Sequence, residues 1–374
     1  MQYMFYYCSV TSLNLNNFVT KEVSNMKNMF SSLHSITSLD VSNFDTSLVT
    51  DLSYMFSDCP LITSLDLSNF NTYNVITMQG LFHRCSYLEN TNIKSFNTSK
   101  VKDISYMFGA CGSLEKIDLS HFDTNSITKM NSLFMNCYNI KWIDISNFKT
   151  ENVIEMQAMF ESCNLLTSLD LFQFKTDKVN NMYAMFHECH SLEELKINFN
   201  TNLVTNMGNM FKDCYLLKSI DVSSFNTTLV DSMSSIFENC FSLISLDLSN
   251  FKTQNVFEME NMFTNCSSLK YLDISNFKTT KARDLSFMFS NCTSLQEINV
   301  KSFDTTSVTN MQSMFDSCTS IRQIDLSSFN TTKCKNFKDM FANTENVTVL
   351  VNSTISDNMI KEIEEYTIIQ TIDQ

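Results

Sequence analysis

The chain has 374 residues, 43% of them apolar, and a formal net charge of −14. With 26 basic residues against 40 acidic ones it lacks the clustered cations that nucleic acid requires, and no apolar run reaches the roughly 18 residues of a membrane span. The 4 Gly and 1 Pro are too few to punctuate a loop-rich globular fold of this length, so the chain must reverse direction by some other, repeated device.

The first residues, Met1 to Val10, have neither a basic start nor a long apolar stretch and do not form a secretory signal. Met1 to Cys8 reads as the end of a repeat unit without its beginning. Tyr3, Met4, Phe5, Tyr6 and Tyr7 would then face water, which makes end-to-end self-association of copies one expected kind of partnership.

From there a single feature organises the chain. A Phe recurs from Phe5, Phe30, Phe56 and Phe82 through to Phe315 and Phe341, at steps of 26 residues except for two of 25. One short step follows Cys8 and the other falls near Ile197. Read from Met55, a unit runs MFSDCPLITSLDLSNFNTYNVITMQG. Val49, Leu52, Met55, Phe56 and Cys59 lie at i, i+3, i+6, i+7 and i+10, which predicts a short helix with one apolar stripe. Leu65-Asp66-Leu67-Ser68 alternates, which predicts a short strand with one buried face. Neither element can build a core alone, but stacked units can cover one another. The chain is therefore expected to be a single solenoid of about fourteen turns over residues 1–350.

The segment after the last turn breaks the repeat. Asn346 to Asn352 predicts a final strand in which Val351 takes the Asp position. Ser356 or Asp357 can then N-cap a helix from Asn358 to about Tyr366, so residues 351–374 are expected to be a capping helix and tail.

The L-x-x-L-D-L-S-N-F segment resembles a shortened leucine-rich-repeat core. The whole unit resembles the BspA-like leucine-rich-repeat surface proteins, as in Phe44-Asp45-Thr46 with Val49-Thr50, and Met107-Phe108 with Cys111. That resemblance covers nearly all of residues 1–350. It implies an α/β fold: a leucine-rich-repeat-like right-handed solenoid with one short strand and one short helix per turn and a parallel sheet on the concave face. It also implies a cell-surface or extracellular protein that binds or adheres through that face, with no catalytic residues and no cofactor to carry across. The missing export signal leaves an intracellular interaction module as the alternative.

Individual columns refine the expectation. A Phe follows the strand and a Thr stands two residues later in all thirteen complete passes, from Phe18 and Thr20 to Phe329 and Thr331; both read as structural. Twelve of the 13 Cys share one column on the apolar stripe, which reads as a ladder of buried free thiols. His187 and His190 flank the ladder residue Cys189, a poor zinc set without a CxxC, so no metal is expected. The middle of the strand carries Asp40, Asp66, Asp118, Asp144, Asp170, Asp221, Asp247, Asp273 and Asp325. With strands about 4.8 Å apart, such a column needs an offset to its repulsion, and an Asp-x-Ser hydrogen-bonded ladder is the main expectation. A stripe that attracts cations or a basic partner is the sharper one. The neighbouring column varies: Lys116, Trp142, Ser168, Glu194, Tyr271, Glu297 and Gln323 are among its members. Large aromatics on a small, polar face are candidate hot spots. The expected contact surface for a protein or glycan ligand is Trp142, Phe172, Tyr271, Lys116 and Glu194 with Asp118, Asp144 and Asp170.

Overall fold

The computed structural model describes residues 1–353 and 355–372. It divides into two compact units, one of Met1–Val179 with Glu188–His190, the other of Asn180–His187 with the residues from Ser191 onward. Each unit is a parallel solenoid in which every turn of chain lies on the next.

In the first unit the strands are β1 (Ser64–Asp66), β2 (Asn90–Asn92), β3 (Lys116–Asp118), β4 (Trp142–Asp144) and β5 (Ser168–Leu171). β1 pairs in parallel with β2 and β3 with β4, each partner standing 26 residues on, as in Leu65 opposite Thr91 and Ile117 opposite Ile143. In the second unit they are β6 (Glu194–Ile197), β7 (Tyr271–Leu272), β8 (Glu297–Ile298), β9 (Gln323–Asp325), β10 (Val347–Val351) and β11 (Thr367–Thr371). There β7 pairs with β8, β9 with β10 and β10 with β11, all in parallel. A second line of parallel bridges runs up another side of each unit, Asn25–Asp51–Thr77–Asp103–Lys129–Glu155 in the first and Asn181–Asn206–Ser232–Glu258–Asp284–Asn310–Asn336 in the second.

The helix expected in each turn does not form. Residues 53–58 and their counterparts are successive tight turns, and α1 (Asp357–Ile363) is the only α-helix among the described residues. The N–H groups show why. Those of Tyr54, Phe56 and Asp58 donate to the carbonyls of Gln79, Leu81 and His83 in the next turn, at 2.8, 3.0 and 2.7 Å. Those between them close locally, Met55 onto Leu52 and Ser57 onto Tyr54. An α-helix would keep every N–H inside its own segment; this ribbon sends every second one to its neighbour. It does so by placing two residues per turn, four apart, in the left-handed region: Tyr54 and Asp58, Tyr106 and Ala110, Ser235 and Asn239. Each such residue costs about 1–2 kcal/mol, which the inter-turn bonds offset. This is the repeated reversing device that lets the chain manage with 4 Gly and 1 Pro. Leu52, Met55, Phe56 and Cys59 still point inward and are fully buried, because a four-residue ribbon period and a 3.6-residue helix bury the same i, i+3, i+4, i+7 set.

The core is built of files. Phe5, Phe30, Phe56, Phe82, Phe108, Phe134 and Phe160 stack with ring centroids 5.5–6.1 Å apart and planes within 22°. Phe186 to Phe341 do the same in the second unit at 5.2–5.8 Å. The post-strand Phe makes a second file, with Phe148 and Phe174 at 6.4 Å and Phe199 and Phe225 at 6.4 Å. The short step near Ile197 shortens only the turn between strand and Phe, so Phe199 keeps its place in the file and is fully buried.

The C-terminal segment of the second unit adds a strand that the sequence does not announce. Ser356 caps α1, its hydroxyl accepting from the Met359 N–H at 3.4 Å, and Met359 and Ile363 are buried. The helix ends at Ile363 rather than near Tyr366, and the chain then turns into β11 alongside β10. The register of β10 also departs from expectation: Leu350, not Val351, stands opposite Asp325. Val347, Val349 and Val351 all point inward, so burial of the valines sets the register. Of the expected tail, Thr354, Asp373 and Gln374 lie outside the described residues.

Candidate functional site

Side chains that recur in every turn are consumed by the stack. Thr46 Oγ1 donates to the Asn71 carbonyl at 3.0 Å and accepts from the Asn71 N–H at 2.8 Å. Thr124 does the same with Lys149 and Thr227 with Lys252. The Asn before the post-strand Phe reaches back: Asn250 donates to the carbonyls of Val222, Ser223 and Phe225. The ladder cysteines from Cys59 to Cys318 are free and buried, and each thiol donates to a Phe carbonyl of the preceding turn, as Cys85 to Phe56 at 3.0 Å and Cys240 to Phe211 at 3.2 Å, whereas Cys8 at the start of the file is half-buried. Burial pushes the Cys59, Cys137 and Cys189 thiols up to about 12. Cys189 donates to the Phe160 carbonyl at 3.2 Å.

The Asp column lies on the outward face of the strands, and its carboxylates are tied within their own turns. Asp40, Asp66, Asp118, Asp144, Asp221, Asp247 and Asp273 each accept the N–H of the Ser two residues on, at 2.9–3.0 Å. Asp170 accepts the N–H of Phe172 at 3.1 Å. These are Asx turns, and they end each strand. The Ser42, Ser68, Ser120 and Ser223 hydroxyls and N–H groups hold the carboxyls of Asp40, Asp66, Asp118 and Asp221 below the ordinary range. At Asp247 the Ser249 N–H and hydroxyl do so against the opposing fields of Asp221 and Asp273. The offset to column repulsion is thus local hydrogen bonding. With one carboxylate oxygen committed per turn, a flat row of such groups is a poor cage for calcium.

Of the expected contact residues, the first unit holds Lys116, Asp118, Trp142, Asp144, Asp170 and Phe172, and the second holds Glu194 and Tyr271. Lys116 stands in register beside Trp142, and Asp118 beside Asp144. Trp142 is 50% exposed and Phe172 60% exposed. Phe172 follows β5 and lies four positions past the Trp142 column, so it belongs to the bend after the strand rather than to the strand face. Glu194 is exposed on β6, and Tyr271, 62% exposed, opens β7.

Tyr271 edges an open groove of about 1060 Å³ over β7, β8 and β9. Its hydroxyl donates to Gln296 Oε1 at 2.9 Å. Glu297 stands in register beside it and Gln323 continues the column on β9. Lys301 reaches Asp325 at 2.8 Å, and Arg322 donates to the Thr319 carbonyl at 3.1 Å. Glu297 and Gln323 are visible in the sequence as members of the variable column. What singles them out, a groove open above three successive strands, is a property of the packed surface.

No helix among the described residues is long and apolar enough to cross a membrane. The family profile described as "Mycoplasma protein of unknown function, DUF285" matches residues 1–117, 61–169, 103–219, 164–272 and 257–367. No curated protein matches the chain. Among solved structures, the chain is similar to a leucine-rich repeat protein from Bacteroides ovatus (19% identity, TM-score 0.49, 86% of each chain covered). It is also similar to a leucine rich cell surface protein from Faecalibacterium prausnitzii, at 16% identity and a TM-score of 0.44, with 83% of this chain and 88% of that one covered. A third likeness is to a leucine-rich repeat protein from Eubacterium ventriosum, at 14% identity and a TM-score of 0.36, with 76% and 83% covered.

Proposed function

The chain belongs to the DUF285 family, and we propose that it is a non-catalytic binding protein that engages a protein or glycan partner through the outward faces of its strands. The observation that carries this reading is a contrast between columns. The recurring Thr, Asn, Cys and Phe are spent on the neighbouring turn, whereas the variable column beside the Asp row is left outward with large side chains exposed, Trp142 and Tyr271 foremost. Half-exposed aromatics on a small, polar surface have the character of interface anchors. The BspA-like resemblance supports a cell-surface, adhesive role for such a surface.

Trp142 is the only Trp, so its emission reports on this face directly. The full chain, screened against arrays of extracellular proteins and of glycans, is expected to bind a partner that shifts Trp142 emission. Trp142→Ala is expected to lose that binding while stability stays within about 0.5 kcal/mol of the parent. A partner held equally well by Trp142→Ala and Phe172→Ala would sink the assignment of the first unit's face. A large loss of stability would make Trp142 part of the core instead.

A further inference from the structure

We propose that the groove over β7, β8 and β9 is a subsite for a neutral oligosaccharide, with the Tyr271 ring as its platform. The inference rests on the reading of the outward strand faces as the binding surface and names the ligand class for the second unit. The groove is broad and open, spanning three successive strands with Tyr271 at its edge. The Tyr271 hydroxyl is bonded to Gln296, which steadies the ring and leaves its exposed face as rigid apolar area. A pyranose has the matching surface, a patch of C–H bonds fringed by hydroxyls.

The polar groups beside the ring suit those hydroxyls. The Glu297 carboxylate and Gln323 amide have no hydrogen-bond partner among the described residues, and both are exposed. They follow Tyr271 along the column, one per strand. A carboxylate accepts only, and an amide both donates and accepts, so together they can satisfy vicinal hydroxyls in either sense. The charge of the groove points the same way. Lys301 is paired with Asp325. With that pair neutralised, Glu297 and Asp273 disfavour an anionic ligand, and Arg322 beside them disfavours a cationic one. A neutral, polyhydroxylated ligand meets neither opposition.

The test uses the full chain with cellopentaose, xylopentaose and N-acetylchitopentaose as probes and hexalysine as the contrasting one, each titrated by calorimetry. At least one oligosaccharide is expected to bind with an affinity unchanged between about 50 and about 500 mM salt. Tyr271→Ala and Glu297→Ala are each expected to weaken it by about tenfold or more. Tyr271→Phe, which keeps the ring, is expected to stay within about threefold. Absence of binding to all three sugars, binding indifferent to Tyr271→Ala and Glu297→Ala, or salt-sensitive binding of hexalysine in their place would overturn the proposal. A partner lost on Trp142→Ala but kept on Tyr271→Ala would leave the binding-protein reading standing while this subsite fell.

Discussion

At the scale of single residues, the repeat is a set of assignments of buried carbonyls and N–H groups to particular side chains. Thr124 is almost fully buried and serves both groups of Lys149, donating at 2.9 Å and accepting at 2.6 Å. Thr124→Val keeps the shape and removes the hydroxyl, leaving a buried N–H and C=O without their partner. The expected loss is about 1–3 kcal/mol in denaturant unfolding. Thr124→Ser keeps the hydroxyl and gives up one methyl, for roughly 0.8 kcal/mol. A serine variant less stable than the valine variant would show that the column works by packing and not by hydrogen bonding. The Thr column is legible in the sequence as structural, but its partner, the backbone one turn further on, is not. Position alone says that a Thr at a chain reversal bonds to something nearby, and the stack makes that something a residue 25 positions away.

At the scale of the element, the ribbon of turns depends on left-handed residues that need not be glycine. Ala158 and Ala184 occupy such positions with φ of 53° and 54°. Gly80 shares their column and their conformation, with φ of 59°, yet it has a separate reason to be glycine. A Cβ there would collide with the ring of Tyr54, which lies across it from the preceding turn. His83 then sits between Tyr54 and Tyr106 in edge-on contact with each, at 6.3 and 5.6 Å. Gly80→Ala is expected to destabilise by about 1–3 kcal/mol, and combining it with Tyr54→Ala to recover part of that. Thermal unfolding of the two single variants and the double variant measures the coupling. Strict additivity would place the cost in the backbone and not in the ring. The ribbon itself is where local reading fails. Leu52, Met55, Phe56 and Cys59 are spaced as helix residues are, and only the destination of the Tyr54, Phe56 and Asp58 N–H groups separates the two structures.

At the scale of the whole molecule, the row of Asx turns couples stability to acid. The Asp40, Asp66 and Asp118 carboxyls are held below their ordinary value of 3.8 by the Ser hydroxyl and N–H two residues on, contacts that vanish when the chain unfolds. The unfolded chain therefore binds more protons in this range, so the contribution is complete well above 3.8 and is lost as pH falls through that value towards the lower folded one. The melting temperature is expected to fall below about pH 4. Replacing these three Asp by Asn keeps the acceptor and removes the titration, as Asn14 and Asn299 already do in their own turns. The triple variant is expected to show a flatter acid limb, and an unchanged limb would place the acid sensitivity elsewhere. By itself the sequence determined the repeat, its two short steps, the files of Phe, Thr, Cys and Asp, the side chains that point in or out, and the capped C-terminal helix. All of these follow from periodic burial and local capping, which are properties of neighbours in the chain. The tertiary structure alone decided that the apolar stripe is a ribbon of turns and not a helix, that Leu350 and not Val351 continues the Asp row, and that Tyr271, Glu297 and Gln323 border one groove. Each of those depends on a hydrogen bond or a packing contact one turn away, and a pattern read along the chain carries no record of which distant partner a backbone group will choose.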